Sequence, residues 1–318
     1  MKNKKFLITI DTEGDNLWAW REGDPIRTEN TLYLPRFQTL CEGYGMKPVY
    51  LSNYEMLSDE RFCAFAKEKQ DKGLCEIGMH LHAWNCPPLE ETLTPRRDCA
   101  PGAAYLIEYS EKTMEEKIRF MTDLITEKTG LPPVSHRAGR WATNDVYFRL
   151  LQKYGYKIDC SVTPRLDWSS HPGCSPESGG SDYRRSPDTP YTIPGTALTE
   201  YPVTVYQDHR VYLPDHLTPK NIARSLVHAK RGNLLWLRPN GNNLKECLGV
   251  MERSAGEADK SYVMFMLHSS ELMPGGSPTF RDEGAIEHLY RELNAIFARA
   301  QSLGYVGATF REELKKNA

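Results

Sequence analysis

Short apolar runs alternate with stretches of helical period from one end of the chain to the other. Residues 6–10, Phe-Leu-Ile-Thr-Ile, predict a strand. Residues 31–44 predict a helix, with Leu32, Leu34, Phe37, Leu40 and Cys41 near one face and Gly43 and Gly45 at its end. The same reading predicts strands over 48–51 and 75–79 and a helix over 60–72. A helix is expected to start near Thr113 with a Thr113-x-x-Glu116 capping box, placing Met114, Ile118, Met121 and Ile125 on one stripe. Strands then follow over 134–136, 157–162, 234–237, 262–267 and 305–308, with helices over 145–154, 219–230, 243–254 and 283–303.

Strand–helix alternation of this kind implies an α/β fold with a parallel sheet, either open or closed into a barrel. Two stretches break the rhythm. Residues 85–110 carry Pro87, Pro88, Pro95 and Pro101, and residues 163–199 are rich in Ser, Gly, Pro, Asp and Arg. Loops this long inside a compact domain are usually functional. No stretch has the composition of a linker, so residues 1–318 are expected to form a single domain with long strand-end loops.

In parallel α/β architectures the reactive residues collect at the C-terminal ends of strands. Here those ends read Asp11-Thr12-Glu13, His80-Leu81-His82-Ala83-Trp84, Arg137-Ala138-Gly139-Arg140-Trp141, Asp159-Cys160-Ser161 and His268-Ser269-Ser270-Glu271. His80 and His82 are two apart, so on extended backbone they point the same way and can grip one cation. Imidazole with carboxylate is the usual donor mix for zinc and related divalent ions. Asp11 and Glu13 also share a face. Glu13, one methylene longer, is the expected third ligand, which leaves Asp11 free as a base; the reverse assignment is the alternative. Trp84 and Trp141 are candidate pocket walls, and Arg140 and Glu271 candidate substrate contacts. His136 is expected to be structural, pointing opposite to Arg137.

Charge and cysteine content narrow the classes. Lys and Arg number 40 against 42 Asp and Glu, a net charge of −2, and no basic stripe suited to nucleic acid is apparent. No run of 18 apolar residues suggests a membrane span. The basic start is followed by only five apolar residues before Asp11, too short for the roughly 7–15 of a signal h-region, so a cytoplasmic location is expected. The eight cysteines contain no C-x-x-C pair and are expected to be free thiols. Cys86, near the two histidines, is the one closest to the chemistry.

These strand ends, in this order, resemble the polysaccharide deacetylase family (NodB homology, carbohydrate esterase 4 type) over roughly residues 6–310. The segment Thr9-Ile10-Asp11-Thr12-Glu13 is similar to its first motif, a strand entering T-F-D-D. Residues 76–84 are similar to H-[ST]-x-x-H, and Arg137-Ala138-Gly139-Arg140-Trp141 to R-x-P-Y. Asp159-Cys160-Ser161 is similar to the fourth motif and Met266-Leu267-His268, loosely, to L-x-H. Arg-Ala-Gly-Arg-Trp and Leu-His-Ser-Ser-Glu-Leu look like the intracellular WalW-like branch linked to surface glycans. The family's second motif Asp is Thr12 here, its second histidine falls at Trp84, and its motif-three proline is Gly139.

The resemblance implies a distorted (β/α)7 barrel that removes an acetyl group from an N-acetylated sugar. It implies a divalent metal, zinc first, with cobalt, nickel or manganese as alternatives. In that scheme Asp11 is the base, Arg137 holds Asp11, Asp159 positions Arg137, and His268 protonates the leaving amine. The rival readings are another amide or imide hydrolase on the same fold and a metal-poor glycan-binding pseudoenzyme.

Overall fold

The computed structural model describes residues 4–21, 24–89, 105–171, 173–174, 179–213 and 217–316. Its strands are β1 (Lys5–Thr12), β2 (Pro48–Ser52), β3 (Glu76–Leu81), β4 (Ser135–Ala138), β5 (Ile158–Asp159), β6 (Tyr191–Thr192), β7 (Thr199–Glu200), β8 (Val205–Asp208), β9 (Asn233–Trp236), β10 (Tyr262–His268) and β11 (Val306–Gly307). The helices are α1 (Leu34–Gly43), α2 (Tyr54–Leu57), α3 (Glu60–Asp71), α4 (Glu111–Thr129), α5 (Asp145–Lys153), α6 (Pro219–Arg231), α7 (Leu244–Gly256), α8 (Glu283–Ser302) and α9 (Phe310–Lys316).

The main sheet runs β10-β1-β2-β3-β4-β5-β7-β6, with β11 also on β1. Every pairing from β10 through β7 is parallel, and only β6 turns back. The fold is therefore α/β with a curled half-barrel sheet, which among the described residues ends at β10 and β6 instead of closing. Strands β1, β2 and β3 are buried along almost their whole length, which is why they read as continuous apolar runs.

Three expectations needed correction. Residues 234–237 do not join the parallel sheet: β9 pairs antiparallel with β8, a strand the apolar pattern did not reveal. The 157–162 strand shrinks to Ile158–Asp159. Helix α4 begins at Glu111, capped by Ser110, whose side chain accepts the Thr113 N–H; Thr113 thus lies inside the first turn. Cys99, His216 and most of the proline-rich 85–110 stretch lie outside the described residues.

Cys41, Cys63, Cys75, Cys86 and Cys160 are buried and make no disulfide. Burial pushes the Cys86 thiol up to about 12, and it lies outside the metal-ligating group described below. Beside it the buried Lys117 ammonium donates to the Cys86 and Pro88 carbonyls, both at 2.6 Å, and so pins the chain that leaves His82 and Trp84. Lys117→Met should leave those carbonyls unmet and lower stability by about 2–3 kcal/mol, read from the urea midpoint. An unchanged midpoint would show that the segment is held by packing alone. No helix among the described residues is long and apolar enough to cross a membrane.

Candidate metal centre and strand-end site

Register decides which side chains meet. Asp11 pairs with His268 across β1–β10, and His80 pairs with Arg137 across β3–β4, so each pair shares a face of the sheet. Just beyond β1 and β3, Glu13 and His82 continue onto the same rim. The result is a buried group of Glu13, His80 and His82 whose ligand atoms all lie within 4.8 Å of one another. His80 Nε2 and His82 Nε2 are 3.0 Å apart, and Glu13 Oε2 stands 3.6 Å from the first and 3.3 Å from the second.

The donor chemistry fits a divalent cation. His80 Nδ1 is 2.9 Å from the Arg137 carbonyl, which can only accept, so the ring proton sits on Nδ1 and the Nε2 lone pair faces the cluster. Two imidazoles and one carboxylate are a donor set of catalytic zinc sites, which keep a further position open. Burial, seconded by His80 and Arg140, pushes the His82 pKa well down and keeps that imidazole neutral, as a ligand must be.

Glu13 is aimed by its backbone. Its carbonyl accepts from Asn30 Nδ2 at 2.9 Å and from Ser269 Oγ at 3.1 Å, and its N–H donates to the same Ser269 oxygen. The departure at Gly139 has a steric reason. A Cβ there would lie 2.5 Å from the Leu81 carbonyl and 2.8 Å from His82 Cδ2, so any larger residue would displace the imidazole.

Asp11 stays out of the cluster. Its Oδ1 accepts from Arg137 Nη1 at 2.5 Å. Burial alone would raise Asp11, but Arg137, His80 and His268 outweigh it and hold the carboxylate at about 2. Arg137 is fully buried, and its remaining donors reach the Cys160 carbonyl and Thr9 Oγ1.

Asp159 does not touch Arg137. It pairs in register with His136 and so faces the other side of β4, accepting from His136 Nδ1 at 2.6 Å and from Ser161. His136 Nε2 in turn meets the Tyr147 hydroxyl. This His136–Asp159–Tyr147 group is sealed from solvent and belongs to the packing behind the site.

On the opposite rim His268 Nε2 lies 3.9 Å from Asp11 Oδ2 and 3.8 Å from Glu13 Oε1. Its Nδ1 is 3.1 Å from Glu271 Oε2, which also accepts the His268 backbone N–H. Burial would raise Glu271, but Arg238 and His268 hold it at about 2.

Trp84 stacks on His82 at 4.3 Å between centroids, and the Arg140 guanidinium lies 5.3 Å from the centroid of the Trp84 ring. Trp141 lies against Arg137 and Trp236. Arg140 and Trp141 both adopt positive φ, 56° and 61°, strain of about 1–3 kcal/mol each of the kind that gathers at functional sites.

Two chains of known structure share this architecture, and a third matches it more weakly. One is a polysaccharide deacetylase, designated putative, from Mycobacterium smegmatis, 15% identical, with a TM-score of 0.54 over 99% of this chain and 91% of that one. Another is a GH57-type branching enzyme from Pyrococcus horikoshii, 11% identical, TM-score 0.56, over 99% and 70%. The third is the CE4 domain of a multidomain xylanase from the hindgut metagenome of Trinervitermes trinervoides, 11% identical, TM-score 0.48, over 99% and 92%. The likeness to the first two is one of fold. No family model matches the sequence, and no curated protein matches it.

The strand-end reading did not single out Arg238, Trp18, Asn30 or Glu55. Arg238 follows the 234–237 strand directly, and the same rule applied there would have found it. Trp18 packs edge-on against His268 at 4.9 Å. Glu55 accepts from Gly14 N–H at 3.2 Å and from Asn53 and Asn85, tying together the loops behind Glu13. Burial, with Glu13 adding to it, raises Glu55 to about 7. Between its unfolded value near 4.5 and that value the folded state binds the extra proton. Stability of the metal-stripped protein should therefore fall as pH rises through this window, by about 3 kcal/mol at most. Glu55→Gln should flatten the decline in urea midpoints from pH 5 to 7; an unchanged slope would place its origin elsewhere.

Proposed function

We propose that residues 1–318 act as one metal-dependent hydrolase that removes the acetyl group from an N-acetylated sugar or surface-glycan precursor, in the manner of the intracellular WalW-like deacetylases. The supporting observation is the convergence on one rim of the Glu13–His80–His82 donor set, the Asp11–Arg137 pair and the His268–Glu271 pair. The fold alone does not choose, because it is shared by a branching enzyme as well as by deacetylases. The donor set favours the deacetylase reading, since glycosidic cleavage runs on a pair of carboxyl groups and does not call for two histidines converging on one carboxylate.

Glu13, His80 and His82 would hold the metal, zinc in our assignment, which when bound supplies an acidified water and polarises the acetyl carbonyl. Asp11, kept ionised by Arg137, accepts the proton from the attacking water. His268, turned by Glu271 so that Nε2 faces the rim, gives a proton to the departing sugar nitrogen. Trp84, Trp141 and Arg140 wall the sugar.

The test has two arms. Purified protein should carry close to one equivalent of divalent metal and release acetate from members of a panel of N-acetyl sugars, with loss on chelation and recovery with zinc. Hydrolysis confined to small cyclic amides or imides, with no acetate released from the sugars, would assign a different hydrolase. Protein that takes up no metal yet binds glycan would be a pseudoenzyme.

A further inference from the structure

Helix α6 stands apart from the other long helices: Ala229 is the one residue on it that is buried. Its edge bearing Asn221, Arg224, Ser225 and His228 lines a cavity of about 530 Å³ that extends to Arg238 and Glu271 at the site. The opposite side looks outward. At 100° per residue Leu226, Lys230, Ala223, Val227, Lys220 and Arg231 fall on one continuous arc, and all six are exposed. Leu226 and Val227 are 54% and 48% exposed, and just before the helix Leu217 is 64% exposed, with Val211 and Leu213 exposed beside it. These five are half of the large apolar side chains exposed among the described residues.

The charge on this helix is of one sign. Lys220, Arg224, His228, Lys230 and Arg231 are its only ionisable residues, and it contains no Asp or Glu. Among the described residues Lys220, Arg224, Lys230 and Arg231 form no ion pair, in a protein whose basic residues otherwise pair often with carboxylates. An exposed helix on which leucine and valine alternate with unpaired cations matches the interfacial class. Such helices set their apolar side chains at the acyl boundary while lysine and arginine reach the headgroup phosphates. A second copy of this chain is a poor occupant, because a two-fold contact through this face would set Lys220, Lys230 and Arg231 against themselves. The apolar side chains also project from a convex helix, where they offer no groove for a peptide.

We propose that α6, with Val211, Leu213 and Leu217, docks the protein on an anionic phospholipid surface. The cavity edge of the same helix then lies at the headgroups. If the deacetylase reading holds, a sugar carried on a lipid can enter without leaving the bilayer; the docking itself does not depend on that reading.

The full chain should sediment with vesicles of phosphatidylcholine and phosphatidylglycerol in equal parts and stay in solution with phosphatidylcholine alone. The combined Lys220→Ser, Lys230→Ser and Arg231→Ser variant should bind the anionic vesicles about a hundredfold more weakly. Leu226→Asp with Val227→Asp should abolish binding. Neither variant should move the thermal midpoint, since these side chains are exposed. Absence of binding, or equal binding by the variants, overturns the proposal. So does a concentration-dependent dimer dispersed by Leu226→Asp, which would give the face to a second copy. Binding to polyglutamate without binding to vesicles would give it to an acidic chain and overturn it as well.

Discussion

Glu13→Ala should purify nearly free of divalent metal, while Asp11→Asn should carry the wild-type amount and lose turnover by about 10²–10⁴. The two carboxylates are only two residues apart on the same strand end, yet they keep different company. Glu13 Oε2 lies 3.3 and 3.6 Å from the two imidazole Nε2 atoms, whereas Asp11 Oδ1 is bound to a fully buried guanidinium. Taking Asp11 away from Arg137 to ligate a metal would leave a buried cation without its counter-charge, a cost of about 3–5 kcal/mol. Glu13 has no such partner to abandon. Its backbone is already clamped by Asn30 and Ser269, so the carboxylate is presented without rearrangement. Metal content of the two variants, measured side by side with acetate release, decides the matter. A full site in Glu13→Ala and an empty one in Asp11→Asn would exchange the two roles.

The rim was legible because strand ends in parallel α/β proteins are chemically special, and the continuous apolar runs of β1, β3 and β10 located those ends. The spacing of His80 and His82, two apart at the close of β3, carried over directly into facing Nε2 atoms. Asp159 shows where such reading stops. Its position at a strand end suggested a link to Arg137, but side-chain direction is set by register, and a two-residue strand leaves no alternation from which to infer it. The β8–β9 ribbon was illegible for a related reason. An apolar strand of four residues says nothing about its partner, and β8 alternates too briefly to stand out. Arg238, delivered by that ribbon, went unnoticed with it. Gly139 was visible only as a departure from a motif; its purpose, room for the His82 ring, is a tertiary fact.

His268→Ala should keep its metal and lose about 10²–10⁴ in turnover, and Glu271→Gln should fall between it and wild type. His268 stands across the rim, 3.9 Å from Asp11 Oδ2 and 3.8 Å from Glu13 Oε1, and it lies outside the ligating group. Its Nδ1 meets Glu271, and Arg238 Nη2 bridges both Glu271 oxygens at 3.0 and 3.1 Å. Arg238 Nη2 also stands 3.0 Å from His268 Nδ1, and together these contacts fix the ring with Nε2 on the rim. Glu271→Gln keeps an acceptor oxygen but removes the charge that pairs with Arg238, so the histidine is held less firmly in place. Wild-type kcat in Glu271→Gln would reduce Glu271 to a structural contact, and loss of metal from His268→Ala would make that histidine a ligand and require a different acid.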